Sequence, residues 1–409
     1  MTMTLAALLA RPLEEDWRAS LERVARGRRW LTLAEPERLG ALVRALSEAY
    51  NAPPGRAVAS SAPALSARLG FSFARDVPKS GGAVRELVAS GELGREDRPL
   101  RVLDVGAGLG ATTWGVARAL AAAGLRTTLE VTWCDEDQVA LDVAVAIARD
   151  RHEREGDVAV HARVERRRAA VECAGKTAWD LILLGQVLSE LDPALEPGDR
   201  TRKHAELVAG FVGALAPGGA VVVVEPALCE RTRHLHGVRD AVLVAKAASV
   251  FAPCLHASPC PALLTPGDWC HEDAPIDLPP WLVPVARAAG LRWQGLTYSY
   301  LVLRRPGERT LADVLPHGPG GAARVISGPL VSKGKREYFV CGELLSSESA
   351  GAERARVSRL DRDRTEANVA WDALGRGDVV AIDPPPDPKK HRITREAAVK
   401  SLVPGRTRA

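Results

Sequence analysis

Two groups of residues in this chain have the types and spacing to do chemistry. The first is the run Arg101 to Gly110, RVLDVGAGLG, in which an apolar stretch meets three glycines at alternate positions, Gly106, Gly108 and Gly110. Glycines directly after a strand let the backbone turn sharply and approach a ligand, because no Cβ stands in the way. Ligands of open α/β sheets bind beyond the carboxyl ends of such strands, where the strand order reverses. The spacing is not GxGxxG, since Ala111 stands where that pattern needs its last glycine, and a dinucleotide pyrophosphate is disfavoured. Two acids accompany the loop. Asp104 precedes it, and Asp135 ends the next apolar run, Trp133-Cys134-Asp135, where a carboxylate can accept from both hydroxyls of a ribose.

The second group is sulfur. Cys254, Cys260 and Cys270 lie close together in the Pro-rich segments APCLHASPCP and GDWCHE. Thiolates gathered in an irregular loop are candidate ligands for zinc or an iron-sulfur cluster, since both bind soft donors. A fourth ligand is needed. Cys341 in REYFVCGE has the best context, with His256 and His271 as competitors. Zinc favours tight cysteine pairs, so the loose spacing leans towards a cluster. Cys134, Cys173 and Cys229 are read as buried structural thiols.

Secondary-structure elements must position both groups. With 409 residues, 46% hydrophobic and 26% charged, the chain has ordinary globular usage and room for two or three domains. No run of about 18 uncharged apolar residues occurs, so neither a membrane span nor a secretion signal is expected. Seven unevenly spaced cysteines argue against a disulfide framework and for a reducing compartment, with the cytoplasm as the expected location.

The first stretch is patterned for helices: Trp17, Leu21 and Val24 repeat at helical spacing, as do Leu39, Leu42, Val43 and Leu46. From Leu100 the pattern alternates. Strands are expected over 101–105, 129–134, 158–164, 180–184 and 220–224, with helices over 112–123, 138–148 and 204–215. This alternation predicts an α/β fold with a doubly wound, mostly parallel sheet. After Pro226 come an expected helix over Arg233 to Val250, the Cys-rich loop 251–280, and a helix with an antiparallel pair over 281–304. From Arg324, RVISGPL, REYFVCGE, ARVSRL and DVVAIDPP read as strands. The expected organisation is a helical N-terminal cap (1–95), an α/β domain (96–310), a small β-rich region (320–383) and a basic tail (384–409). The formal net charge is only +4, but the tail concentrates Lys389, Lys390, Arg392, Arg395, Lys400, Arg406 and Arg408, a plausible polyanion contact. Lys333, Lys335 and Arg336 with the arginines from Arg354 to Arg364 offer a second basic surface, offset by interleaved acids.

The D-x-G-x-G run with Asp135 resembles class I S-adenosylmethionine-dependent methyltransferases, as do LAPGG before the fifth strand and Glu225-Pro226 after it. That resemblance implies S-adenosylmethionine as cofactor, held by Asp104, Gly106, Gly108, Gly110 and Asp135, with Gln186 lining the pocket after WDLILLG. No Pro-Cys or NPPY-like motif follows that strand, and no nucleophile or base stands out. More specifically, APCLHASPCP, DWCHE, YLVLRR and YFVCGE, with ARDVPKS and GVRDAVL upstream, resemble the methyltransferase-like ribosomal small-subunit assembly family of bacteria and mitochondria. Membership would imply a [4Fe-4S] cluster on Cys254, Cys260, Cys270 and Cys341, and action on the small ribosomal subunit or its rRNA. Leu255, Ala257 and Glu272 depart from the family pattern without touching those ligands. Methyl transfer to rRNA is the expected activity. The alternatives are a catalytically inert assembly factor and a zinc-stapled methyltransferase of small molecules.

Overall fold

The computed structural model describes residues 11–51, 61–93, 98–152, 158–167, 170–175, 177–315, 321–345 and 351–403. Four helices come first: α1 (Glu15–Gly27), α2 (Pro36–Asn51), α3 (Ala62–Ala67) and α4 (Phe73–Ala89). Trp17, Leu21, Val24 and Ala25 form the buried stripe of α1, the one-sided burial expected of an amphipathic helix. The fourth helix is buried except at Arg75 and Asp76. It crosses α5 (Ala111–Ala122) so closely that a Cβ on Gly115 would lie 2.1 Å from the Val77 carbonyl oxygen, so only glycine fits there.

The α/β unit continues with β1 (Leu100–Val105), β2 (Thr127–Asp135), α6 (Gln138–His152), β3 (Val158–Arg166), β4 (Trp179–Gly185), α7 (Pro197–Gly213), β5 (Leu215–Glu225), α8 (Cys229–Val244), β6 (Ser249–Ala252), β7 (Glu272–Ala274), α9 (Val283–Ala288) and β8 (Leu296–Arg304). The sheet order is β3-β2-β1-β4-β5-β8-β6, with β7 on β8. Strands β1 to β5 are parallel, and β8 inserts antiparallel between β5 and β6. Helices cover both faces, which is why β1, β4 and β5 are continuous apolar runs with almost no exposed side chain. Because β1 pairs with both β2 and β4, the chain leaves the sheet in opposite directions there and opens a crevice at the carboxyl ends of β1 and β4.

A short α10 (Leu311–Val314) leads to a second sheet: β9 (Ala323–Val325), β10 (Leu330–Ser332), β11 (Lys335–Gly342), β12 (Glu353–Leu360), β13 (Val379–Asp383), β14 (Arg392–Ile393) and β15 (Ala398–Val403). Its order is β14-β12-β11-β9-β13-β15, with β10 on β11. Tyr338, Val340, Val357, Trp371, Val380 and Ile393 fill its own core. A buried ionic network joins it to the rest. Arg324 pairs with Glu86 at 2.6 Å, Arg85 with Glu272 at 2.9 Å, and the Tyr300 hydroxyl donates to Glu86 at 3.0 Å.

Three expectations change. The helix expected over Arg233 to Val250 is α8 and then β6: Lys246 turns into the left-handed region, φ 52°, and Val250, Phe251 and Ala252 bury against β8. The stretch expected as a basic tail folds as far as Val403. Val399 and Val403 face inward and Lys400 and Ser401 outward as β15 pairs with β13; Arg406 and Arg408 lie outside the described residues. Cys134 and Cys173, read as free buried thiols, are joined in a disulfide, because the end of β2 and a short 3₁₀ turn over Ala170–Cys173 bring them together across 39 residues. Among the described residues no helix is long and apolar enough to cross a membrane.

Candidate functional site

The glycine loop closes the carboxyl end of β1. Gly106, Gly108 and Gly110 all have left-handed backbones, at φ 63°, 51° and 81°. The space around them differs. A Cβ on Gly106 would lie 2.7 Å from Val187 Cγ2 and one on Gly110 would lie 3.0 Å from the Trp133 ring, whereas none would meet Gly108 within 4 Å. Asp135 at the end of β2 accepts from the Gly108 amide at 2.8 Å through Oδ2 and from the Asp137 amide at 2.9 Å through Oδ1. The strand-end acid therefore pins the loop from the side.

Asp104 lies beneath it, fully buried. Its Oδ2 accepts from the Thr113 hydroxyl at 2.7 Å and the Thr113 amide at 3.2 Å, while Oδ1 has no partner among the described residues. Burial pushes the Asp104 carboxyl up to about 7, against the pull of the Thr113 bonds. A buried carboxylate with one oxygen free to accept is suited to a cationic group.

The end of β4 adds residues that sequence reading reached only partly. Gln186 has φ 64°, an uncommon conformation for a side chain of its size. Its amide donates to Val224 O at 2.7 Å and its Nε2 donates to Asp76 Oδ2 at 2.9 Å. Asp76 also holds Lys79 at 2.6 Å, and Lys79 is only 5% exposed. Glu225, at the end of β5, accepts from the Leu188 amide at 2.9 Å through Oε1, and its Oε2 has no partner among the described residues. Burial pushes Glu225 up to about 7 and lowers Lys79, whose charge Asp76 and, more weakly, Glu225 favour. Asp76 and Lys79 sit in the ARDVPKS segment of α4, a signal that pointed to the family but not to a role.

The four sequence-selected cysteines converge at the other side of β8. Cys254 follows β6, Cys260 and Cys270 lie on the loop to β7, and Cys341 is on β11, opposite Arg324 of β9 and Arg354 of β12. All four are free thiols. Burial, and then Cys254, push Cys260 up to about 12 and Cys270 up to about 11; Cys341 is raised by burial and by all three others. Even so, among the described residues no group of three or more His, Cys, Asp or Glu side chains is placed so that it could hold a metal ion. Of the competing ligands, His256 approaches Cys341 Sγ at 3.7 Å, while His271 stacks on Trp269. Cys229 makes a sulfur contact to Gly267 O, on the loop that carries Cys260 and Cys270.

Comparison with known proteins follows this geometry. No curated protein matches the chain. Among solved structures it is similar to an S-adenosylmethionine-dependent methyltransferase from Clostridium acetobutylicum, at 14% identity over 36% of this chain and 49% of that one, TM-score 0.26. It is also similar to a methyltransferase homologue from Pyrococcus horikoshii, at 14% identity over 57% of this chain and 66% of that one, TM-score 0.34. A third is the magnesium protoporphyrin IX methyltransferase of Synechocystis, at 12% identity over 56% and 83%, TM-score 0.31. The chain spans about half the length of the Clostridium protein, and scores this low carry no weight for function. The sequence model of a family does carry weight, because it matches residues 83–350, from the end of α4 through the glycine loop and all four cysteines. That match covers more than half of the chain, which belongs to the family described as mitochondrial small ribosomal subunit Rsm22.

Proposed function

We propose that the protein binds S-adenosylmethionine in the crevice at β1 and acts on the small ribosomal subunit or its rRNA, with an iron-sulfur centre on Cys254, Cys260, Cys270 and Cys341. The observation that carries the first part is the loop itself: three left-handed glycines, pinned by Asp135, above a buried Asp104 with an unused acceptor. Gly106, Gly108 and Gly110 let the ligand reach backbone amides, Asp135 retains lone pairs for ribose hydroxyls, and Asp104 Oδ1 suits an ammonium. When bound, the cofactor supplies an electrophilic methyl group. Glu225, buried and near-neutral in pKa, is the group at the ends of β4 and β5 best able to take up a proton.

The ribosomal part rests on the family, whose description names the small ribosomal subunit. The iron-sulfur part rests on donor chemistry. Four free thiols are a soft donor set of the kind that holds iron-sulfur clusters, and among the described residues they are not placed to hold a metal ion, so the centre would have to draw them together. The family description is of a mitochondrial protein, whereas the cytoplasmic expectation rests on cysteine usage and on the absence of an apolar signal run, and two of those cysteines form a disulfide. One observation favours an assembly factor that binds without transferring: the Gln186 side chain, at the place where a methyl acceptor would sit, is already engaged by Asp76.

The deciding experiment incubates the purified protein and labelled S-adenosylmethionine with small subunits from cells lacking it, and measures binding and label in rRNA. Salt-dependent binding with label in rRNA is the expected result, since phosphate contacts release counterions. Binding without label establishes the inert factor, and no binding removes the ribosomal reading.

Cofactor affinity should also depend on pH. In the free protein Asp104, at about 7, is mostly protonated in mildly acidic solution. An ammonium at Oδ1 favours the carboxylate, so binding expels a proton, and affinity is expected to rise towards neutrality by up to about tenfold per pH unit and then flatten. Calorimetry in buffers of different ionisation enthalpy checks this. A flat profile without proton release would place the ammonium elsewhere.

A further inference from the structure

The disulfide between Cys134 and Cys173 has no part in the chemistry described so far, yet it sits at the point from which the glycine loop hangs. Cys134 lies one residue before the end of β2 and pairs with Val105, the last residue of β1. Its carbonyl accepts from the Gly106 amide at 2.7 Å and from the Ala107 amide at 3.2 Å. Asp135, the next residue, accepts from the Gly108 amide at 2.8 Å through its side chain and from the Arg167 amide at 3.0 Å through its carbonyl. Three consecutive amides of the loop are therefore fastened to residues 134 and 135. Through the Cys134 side chain the same post is bonded to the short turn Ala170–Cys173.

A bond whose only task is to staple a fold can close any long loop. This one is set apart by its place and its company. The five other cysteines are free thiols. Surroundings that keep those thiols reduced also supply the exchange partners that open a disulfide, and disulfides found under such conditions are mostly ones that are made and broken. Cys173 is the more approachable sulfur, 6% exposed against 0% for Cys134, and it ends a turn of only four residues. Once the bond is open, that turn keeps its packing and the bond from Trp179 Nε1 to Ala174 O at 2.8 Å, but it no longer holds the end of β2 covalently.

We propose that Cys134 and Cys173 form a redox latch on the cofactor loop. Closed, the bond fixes the end of β2, and with it the amides from Gly106 to Gly108 and the Asp135 carboxylate; open, it lets that post shift and weakens cofactor binding. The co-reactant is a dithiol. One of its sulfurs attacks Cys173 Sγ, the S–S bond breaks, and Cys134 leaves as a thiolate that takes up a proton. The second sulfur of the dithiol then attacks the first and releases Cys173 as a thiol. The reagent departs as its own disulfide, and two electrons and two protons have passed to the protein. The ordering of the loop stands on geometry alone, whereas the effect on S-adenosylmethionine rests on the cofactor reading above. Linkage makes the coupling reciprocal: if the closed latch favours the cofactor, bound cofactor favours the closed latch by the same factor.

The test uses the full chain purified without reductant, before and after treatment with dithiothreitol, with Cys173→Ala alongside. Three quantities are measured: S-adenosylmethionine affinity by calorimetry, amide hydrogen exchange over 104–110, and the fraction of the bond open at a fixed ratio of dithiol to its disulfide. The last is read by peptide mass after thiol alkylation, with and without cofactor. On reduction, exchange over 104–110 is expected to quicken about tenfold while β8 is unchanged, and affinity to fall about fivefold or more. Cys173→Ala is expected to behave as the reduced protein whether or not dithiol is present, and cofactor is expected to lower the open fraction of the wild type. Equal affinity and equal exchange in the oxidised and reduced protein overturn the latch and leave a staple. A bond that dithiol does not open in the folded protein, or a dithiol effect of the same size in Cys173→Ala, overturns it as well. Faster exchange with equal affinity overturns the control of binding. Faster exchange on reduction in a protein that binds no S-adenosylmethionine in either state removes the cofactor reading and leaves the ordering of the loop standing. If Cys173→Ala does not fold, the reduced wild type carries the comparison, since it needs no substitution.

Discussion

Gly106→Val is expected to abolish S-adenosylmethionine binding, with a loss of at least about a hundredfold in affinity. The backbone there is at φ 63°, a region that costs an L-residue roughly 1–2 kcal/mol and a β-branched one more. Sterics add to this, since a Cβ would lie 2.7 Å from Val187 Cγ2, and Val187 belongs to the segment that follows β4. The valine must displace either that segment or the loop, and the proposed site lies between them. Gly124→Val is the matched control. Gly124 has φ 74° and nothing within 4 Å of a Cβ, so the variant carries the backbone penalty without the collision and lies beyond α5, away from the loop. Calorimetry should find wild-type affinity in Gly124→Val and none measurable in Gly106→Val, with thermal melts showing both folded. Undiminished affinity in Gly106→Val would move the cofactor off this loop.

The second large effect concerns the metal. Cys341→Ser is expected to remove the visible iron-sulfur absorption and to make the second sheet more susceptible to limited proteolysis. Cys254, Cys260 and Cys270 lie on the β6 to β7 side of the molecule, and Cys341 is in the middle of the second sheet. A shared centre therefore closes a chain loop of about seventy residues beyond Cys270, a crosslink worth several kcal/mol at most. Metal binding would then be partly folding energy. Detachment should be partial, because Arg324 to Glu86 and Arg354 to Asp268 hold the same sheet without sulfur. Cys229→Ser is the control, since Cys229 is not one of the four candidate ligands and makes a single sulfur contact to Gly267 O, and it should change neither absorption nor proteolysis. Full iron and unchanged proteolysis in Cys341→Ser would eliminate Cys341 and bring forward His256, which stands 3.7 Å from it.

Sequence by itself determined what is local and periodic. The inner parallel strands were legible because a strand covered on both faces is mostly apolar, the edge strand β3 by its alternating apolar positions, and the glycine loop because only glycine adopts three left-handed turns so near one another without strain. The cysteine spacing was legible for a similar reason: thiols are scarce, and their clustering in an irregular loop stands out without knowledge of the fold. β6 was misread because its four residues, SVFA, follow a helix and three of them are apolar, and over so short a run no period separates strand from helix. β14 and β15 were missed because basic side chains on an exposed strand face resemble a solvated tail until β12 and β13 are alongside. Tertiary structure alone decided which distant residues meet. The Cys134 to Cys173 disulfide and the Gln186 to Asp76 contact join positions with no shared sequence pattern. The first is set by how the turn after β3 folds onto the end of β2 and the second by how α4 packs on the sheet, and such packing depends on shape and buried charge summed over the whole chain, which no local window of sequence contains.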